Sequence, residues 1–468
     1  MGNMIAFVAL LAWPVVTLVL FLAMSTQRAI VASLLGGYLL LPYIVGFDFK
    51  GVPTLDKTSI PNIATFLLAI GLARSGTFRW PRSILVNLLM IGYVICPILT
   101  TYANPDAVTI GSIRLPGLTL YDALSSTAQH AIQLMPFIVG AGLMRSDAAH
   151  RDILLLFVIA ALAYTVPVLL EVVKGPYFQA VIYHVDPREF YEQQIRYGGF
   201  RAMVFLGHGL AVSSFYALAL LSAVGLWRGK GRVLGLPALL CAFWLFVILV
   251  LNKSAGALVI GTMIAILLAA FRPRRFASIA LLFAMMIMTY PTLRANALIP
   301  INTIESVASA FSSDRANSLD YRLRNEDILL TRARERPWFG WGGYGRNRVF
   351  VVTDWGSTVD VSVTDGAWII ALGSNGWLGY ISLFGLLSYP LLHLFRMRRQ
   401  AISPATVALA AMLLYSLLDL IPNAALPPIT WLICGALAGL PRLRQTHRLP
   451  AGAPARPAPA ITQAISPA

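Results

Sequence analysis

Five side chains in this sequence combine a charge with a place at the edge of an apolar segment. Arg196 and Arg201 bracket Arg196-Tyr-Gly-Gly-Phe-Arg201, shortly before His208 and an apolar run. Lys253 separates two apolar runs, Arg322 lies in a polar stretch one helical turn before Glu326, and Asp365 immediately precedes the run that opens at Gly366. A guanidinium presents a planar fork of donors matched to phosphate oxygens, and an ammonium a compact point charge. Cations in this number therefore suit a phosphate-bearing ligand, beside which Asp365 offers a base or an orienting acceptor. Plainer readings stand next to these. Arg322 can pair with Glu326 along a helix, Arg196 and Arg201 can anchor a span, and Lys253 can snorkel from a helix end. Asp365, or Thr364 before it, can cap the helix that follows, and His208 can be a packed polar residue.

What must position these groups follows from composition. The chain has 468 residues, 58% of them hydrophobic and only 12% charged, with a mean hydropathy of +0.73. Soluble domains carry about 25% charged residues, and disorder requires low hydrophobicity. Both classes are excluded, and the apolar residues must meet lipid. Apolar runs long enough to cross a bilayer of roughly 30 Å occur at 4–24, 28–47, 58–73, 83–101, 121–144, 152–173, 202–226, 233–252, 254–271, 276–291, 366–395, 403–421 and 428–441. The expected fold is therefore all-α and polytopic, with about thirteen membrane helices (range 11–14). The expected organisation is a transmembrane bundle over 1–291, an exterior loop over 292–365, further spans over 366–441 and a disordered Ala/Pro-rich tail over 442–468.

The net charge of +16 and pI near 10.1 suggest nucleic acid until the charges are mapped. One set of connections carries Arg28, Arg74, Arg79, Arg82, Arg145, Arg151, Arg228, Lys230, Arg232, Arg272, Arg274, Arg275, Arg396, Arg398 and Arg399, and the basic tail follows them. By the positive-inside rule that side is cytoplasmic. Only Asp147 and Asp152 share it, so the excess basicity matches anionic headgroups and no nucleic-acid partner is needed. The amino terminus is then outside. The first apolar run lacks a basic leader and reads as an uncleaved span. Cys96, Cys241 and Cys434 all lie in apolar spans, as packing residues do.

Three exterior connections are long enough to build a site: 102–120, 174–201 and 292–365. The last far exceeds a connector's usual length. Within it, Ser318 as cap, Asp320 in the first turn and Pro337 as terminator predict a helix, with Leu319, Leu323 and Leu330 within about 40° of one another. Gly340-Trp-Gly-Gly-Tyr-Gly345 matches GxGxxG, but it follows a helix rather than a strand, so a tight chain reversal fits better than dinucleotide binding. The sequence holds no P-loop, no HExxH and no Asp-x-Asp pair, which argues against a metal-dependent sugar-nucleotide transferase. Arg332, Arg334, Arg336, Arg346 and Arg348 read as a largely solvated face. Trp338, Trp341 and Tyr344 suit either an interfacial belt or flat platforms for sugar rings.

Over residues 190–440 the sequence resembles the O-antigen ligase / O-antigen polymerase superfamily of bacterial inner-membrane glycosyltransferases. The resemblance rests on Tyr321-Arg322 through Pro337-Trp-Phe-Gly-Trp-Gly342, similar to an Arg, a helix and then Pro-x-x-Gly-x-Gly. It continues through Asp365-Gly-Ala-Trp to Gly376-Trp-Leu-Gly379, through Arg196-Tyr-Gly-Gly-Phe-Arg201 with His208-Gly-Leu-Ala211, and through Lys253-Ser254. Asp365 stands where the family usually has His, and Glu326 where Trp is common. The resemblance implies a GT-C-like fold and a cofactor-free, metal-independent transfer on the periplasmic face. The donor would be a glycan on undecaprenyl diphosphate. Arg196, Arg201, Lys253 and Arg322 would hold the diphosphate, Asp365 and Arg322 would be catalytic, and Trp338, Trp341, Tyr344 and His208 would meet glycan. Membrane lipids, a flippase and a chain-length regulator would be the partners. Joining lipid-linked repeat units is the favoured activity. Ligation of finished glycan to lipid A–core is the nearest alternative, and glycan transport a rival that the nearly charge-free spans disfavour.

Overall fold

The computed structural model describes residues 2–441 except 50–51, 74–76, 187–193, 197, 302–305, 307–308 and 310–312. The expectations for Arg74 and for the tail after Pro441 lie outside the described residues. Each of the thirteen apolar segments carries a helix. They are α1 (Met4–Ala23), α2 (Thr26–Leu40), α3 (Ser59–Gly71), α4 (Ile84–Tyr102), α5 (Leu120–Leu143) and α6 (Asp147–Lys174); a short α7 (Phe178–Tyr183) then precedes α8 (Gly209–Arg228), α9 (Ala238–Leu251), α10 (Ala255–Ala270) and α11 (Pro273–Ala295). After α12 (Ser313–Arg334) in the long loop come α13 (Ala367–Met397), α14 (Pro404–Asp419) and α15 (Pro428–Ala438). Six of these, α1, α4, α6, α8, α11 and α13, are long and apolar enough to cross a membrane, and α3, α9, α10, α14 and α15 are shorter apolar helices.

Caps explain several starts. Asn3, Ser83, Ser146 and Ser403 each accept a first-turn amide with their side chains, satisfying donors that a helix start leaves open. The remaining strands form five two-stranded antiparallel hairpins in the connections. These are β1–β2 (Gly46–Phe47, Leu55–Asp56), β3–β4 (Val108–Ile110, Ile113–Leu115), β5–β6 (Ile195–Arg196, Gly199–Phe200), β7–β8 (Arg232–Val233, Leu236–Pro237) and β9–β10 (Phe350–Val352, Thr358–Asp360).

Helices α8, α14 and α15 are buried along most of their length and form the centre. Outer helices expose large apolar side chains, including Leu22, Ile84 and Val173. Packing of α5 on α15 depends on small residues. A Cβ at Gly140 would fall 2.4 Å from the Leu432 carbonyl oxygen, and one at Gly435 2.0 Å from that of Phe137. Close backbone approach of this kind holds helices together where the hydrophobic effect between them is weak.

Two expected boundaries move. Helix α11 continues through Pro291 to Ala295, so the long loop begins after 295 rather than at 292. Helix α12 begins at Ser313, ahead of the expected cap at Ser318, and ends at Arg334 before Pro337. Helix α13 is broken at Gly376 (φ 64°, ψ −164°). The glycine-rich loop enters this break. Trp341 and Gly342 amides donate to the Gly373 and Ser374 carbonyls (2.8 Å each), while Trp377 and Leu378 amides donate to the Pro337 and Trp338 carbonyls (2.7 and 3.2 Å). Gly340 has φ +67°, and a Cβ there would lie 2.4 Å from the Ser374 backbone. The glycines that mimic a dinucleotide motif thus let one backbone approach another.

Candidate functional site

The site is assembled at the end of the bundle where α6 and α9 finish and α8 and α13 begin. Glu171, near the end of α6 and 1% exposed, accepts the Tyr177 and Phe178 amides with one oxygen (2.9 Å each) and the Met203 and Val204 amides with the other (2.8 and 2.7 Å). A carboxylate with four backbone donors is well compensated for burial. It fixes the 201–206 turn. Asn252 holds the same turn from α9, accepting from the Ala202 amide (2.8 Å) and donating to the Gly209 carbonyl (3.0 Å) and Ser213 hydroxyl (2.7 Å).

Arg201 projects from this frame. Its side chain is 7% exposed and donates to the Lys253 carbonyl (3.4 Å). Its aliphatic stem lies on Gly209, where a Cβ would come within 2.0 Å. Lys253 has φ +55°, which directs its ammonium over the β5–β6 turn, against Gly199. Arg196, exposed on β5, belongs to that same hairpin. His208 caps α8, its Nδ1 accepting the Leu210 amide (3.0 Å). Burial, and then the charges of Arg201, Arg196 and Arg322, push its pKa down to about 4. The ring is therefore neutral at pH 7, and with Nδ1 accepting, the proton sits on Nε2. Arg196 and Arg201 from one short stretch and Arg322 from another thus lie near enough for their charges to act on one imidazole.

Arg322 reaches the site from α12. The helix is held to the bundle one turn later by Glu326, which accepts from Tyr290 (3.2 Å) and Arg294 (3.4 Å) of α11 and from the Trp368 indole of α13 (3.2 Å). Burial raises the Glu326 pKa against the opposing effect of Trp368, Arg294 and Tyr290. Arg294 is itself 5% exposed and bonds also to Asp327 (3.0 Å) and the Leu323 carbonyl (2.9 Å). The plainer Arg322–Glu326 pair does not form, because Glu326 turns inward to these donors. Arg322 instead pairs with Asp365, Nε to Oδ2 3.4 Å, both side chains being more than a third exposed. Asn325 aligns the approach to Asp365 by accepting the Val363 amide (2.9 Å). The capping reading of Asp365 or Thr364 is corrected too: Gly366 is the N-cap of α13, and no side chain caps it.

The aromatic candidates are placed differently. Trp341 is 6% exposed, with the Arg332 and Arg336 guanidiniums 3.5 and 4.5 Å from its ring centroid. Its face is occupied and is not offered to a sugar. Trp338 and Tyr344 stay exposed, and Tyr344 donates to Asp122 at the start of α5 (2.6 Å). The presumed solvated arginine face is also revised. Arg346 is fully buried and donates to the carbonyls of Trp341, Asp106 and Pro116. Arg334 donates to the Ala295 carbonyl, and Arg348 pairs with Asp360 (2.9 Å).

Sequence reasoning missed Lys57. It lines a cavity of about 580 Å³ with Tyr38, Tyr43, Asp48, Leu206 and Ala211, whose last two residues flank the Gly207–His208 turn. Its ammonium donates to the Phe205 carbonyl (2.8 Å), and burial, partly offset by Asp56, pushes its pKa down to about 7. A lone Lys beside the Thr58-Ser59 helix start gave no periodic signal. Arg294, in the last turn of α11, was missed as well.

Compared with known proteins, the chain matches no family model and no curated sequence. Its chemistry must be argued from geometry. Fixed cations around a neutral imidazole, with one carboxylate at their edge, can stabilise a phosphate anion as charge develops on it and orient a nearby hydroxyl.

Proposed function

We propose that this chain is a polytopic glycosyltransferase of the bacterial inner membrane. It takes a glycan from undecaprenyl diphosphate and joins it, on the periplasmic face, to a hydroxyl of another lipid-linked repeat unit, without a metal. The single observation that carries the reading is the gathering of Arg201 and Lys253 at the start of α8, Arg201 lying on Gly209 and donating to the Lys253 carbonyl, together with the Arg322–Asp365 pair, whose guanidinium charge is felt at His208. Thirteen crossings belong to the same proposal. Helix direction supports them, since α13 starts beside Asp365 and ends at the Arg396 cluster, and α8 starts beside Arg201 and ends at Arg228.

In the reaction the acceptor oxygen attacks the anomeric carbon while the bond from that carbon to the diphosphate oxygen breaks with its electron pair. The hydroxyl proton passes to the Asp365 carboxylate. The departing diphosphate gains charge, and pre-positioned donors stabilise that change more than they stabilise the bound donor. Arg322 and Arg201 supply forked donors, Lys253 and Arg196 supply further positive charge, and the neutral His208 adds none. Trp338 and Tyr344 are the exposed rings left for glycan.

Glycan analysis of a deletion strain tests the assignment. Accumulation of single repeats on the carrier is the expected result. Complete polymer stranded on its carrier would transfer the assignment to ligation, and unchanged glycan would remove it.

A further inference from the structure

At the opposite end of the bundle, the segment before α4, the ends of α5 and α15 and the last turn of α13 enclose a cleft of about 400 Å³. It is lined by Arg79, Arg82, Arg145 and Arg396 with Trp80 and Tyr389, and by no Asp or Glu. We propose that this cleft binds the phosphodiester headgroup of an anionic phospholipid.

Four positive charges in one cleft repel one another unless an anion lies among them. Arg145 is fixed by donating from Nε to the Gly439 carbonyl (2.6 Å). Burial, and then the charges of Arg79 and Arg82, depress its pKa, so the three guanidiniums share one field. The stretch that carries Arg79 and Arg82 is anchored on both sides. The Phe78 ring lies against Gly142, where a Cβ would come within 2.3 Å, and the Trp80 indole donates to Asn87 (3.0 Å). These arginines are therefore held together by the fold.

Among the described residues, the carboxylates at this end of the bundle are engaged elsewhere. Asp147 accepts from Ser403 (2.8 Å) and Thr406 (3.1 Å), and Asp152 pairs with Arg28 (2.9 Å). Residues 74–76 and 442–468, which adjoin the cleft in sequence, contain no Asp or Glu. The proposed headgroup supplies the counter-charge from outside the chain.

A lipid fits better than a soluble anion because of what continues from the cleft. Ile84, Leu88, Ile91, Ile95 and Ile98 are all exposed along α4, at helical spacing that makes one apolar stripe leading away from the arginines. Acyl chains can lie on that stripe while guanidinium forks hold the phosphate.

The test uses the full chain, purified in detergent and titrated with phosphatidylglycerol, with adducts counted by native mass spectrometry. The double variant Arg79→Gln/Arg82→Gln should weaken the tightest adduct about 30-fold, from two basic contacts near a membrane surface. The double variant Lys230→Gln/Arg232→Gln removes equal charge from the same end, but neither residue lines the cleft, and it should stay within about twofold of wild type because screened charges act only within about 10 Å. Arg396→Gln, on a separate element, should also weaken the adduct, and it reports on the cleft should the 77–83 segment be disturbed. Equal loss in both double variants, or equal retention of phosphatidylcholine, overturns the proposal. Full displacement of phosphatidylglycerol by millimolar inorganic phosphate overturns the lipid as ligand and assigns the cleft to a free anion.

Discussion

Replacing Arg322 by alanine separates a small cost in stability from a several-fold larger one in catalysis. The Arg322–Asp365 contact is 3.4 Å long, and its side chains are 37% and 41% exposed. Solvent screening keeps such a pair to at most about 1 kcal/mol of stability. Helix α12 is held instead by Glu326, Asn325 and the buried Leu329 and Leu330, none of which the substitution touches. The variant should therefore reach the membrane at normal level and unfold within a few degrees of wild type. If the guanidinium faces a departing diphosphate, its loss removes a donor worth about 100- to 1000-fold in rate. Arg322→Lys keeps the charge but not the fork, and should lie between the two. The assay is transfer by purified protein of lipid-linked repeat units isolated from a deletion strain, read as polymer length against time. An Arg322→Ala protein that is folded and makes polymer of normal length at a rate within threefold of wild type would refute the reasoning.

Asp365→Asn keeps the shape and removes the proton acceptor, and because Gly366 caps α13 no capping loss confuses the result; a turnover drop of about 100-fold is expected in the same assay, and full activity would end the base assignment. Glu326→Ala should destabilise by about 1–3 kcal/mol, since the Tyr290 hydroxyl and Trp368 indole lose their acceptor while Arg294 keeps Asp327; a thermal unfolding midpoint equal to wild type would show that the clamp is unimportant. His208 has a folded pKa near 4 against an ordinary value of 6.5, so the unfolded chain takes up this proton first as pH falls. Its contribution to stability is present above pH 6.5 and is lost between 6.5 and 4. His208→Asn retains a capping side chain that does not titrate, and its unfolding midpoint should fall less than wild type between pH 7.5 and 4.5; identical slopes would exclude His208 as the source.

Much of the fold was legible because apolar segments announce themselves one at a time. A run such as Ala367–Met397 needs no information from elsewhere to be read as a helix. The four cations and Asp365 were legible as a set, since their types and their places at segment edges are local properties. Their partners were not. Arg322 has Glu326 at the right helical spacing, yet it pairs with Asp365 because Glu326 finds three donors on α11 and α13. Trp341 has the composition of a sugar platform, but Arg332 and Arg336 fold back over it, and only the loop's path decides this. Arg346 looked solvated because a buried arginine is normally matched to a carboxylate, whereas this one is satisfied by carbonyls. Glu171 lies near the end of α6, but its four amide donors come from two turns that its own helix does not predict.

The break in α13 makes two arrangements mutually exclusive. An unbroken helix would join the Trp377 amide to the Gly373 carbonyl and the Leu378 amide to the Ser374 carbonyl. These are the four groups that residues 337–342 occupy. In a straight α13 these four groups would satisfy one another, and the Pro337 and Trp338 carbonyls and the Trp341 and Gly342 amides would be the ones left to find partners. The docked loop thus takes the place of α13's own ladder, using the same donors and acceptors that would otherwise keep that helix straight.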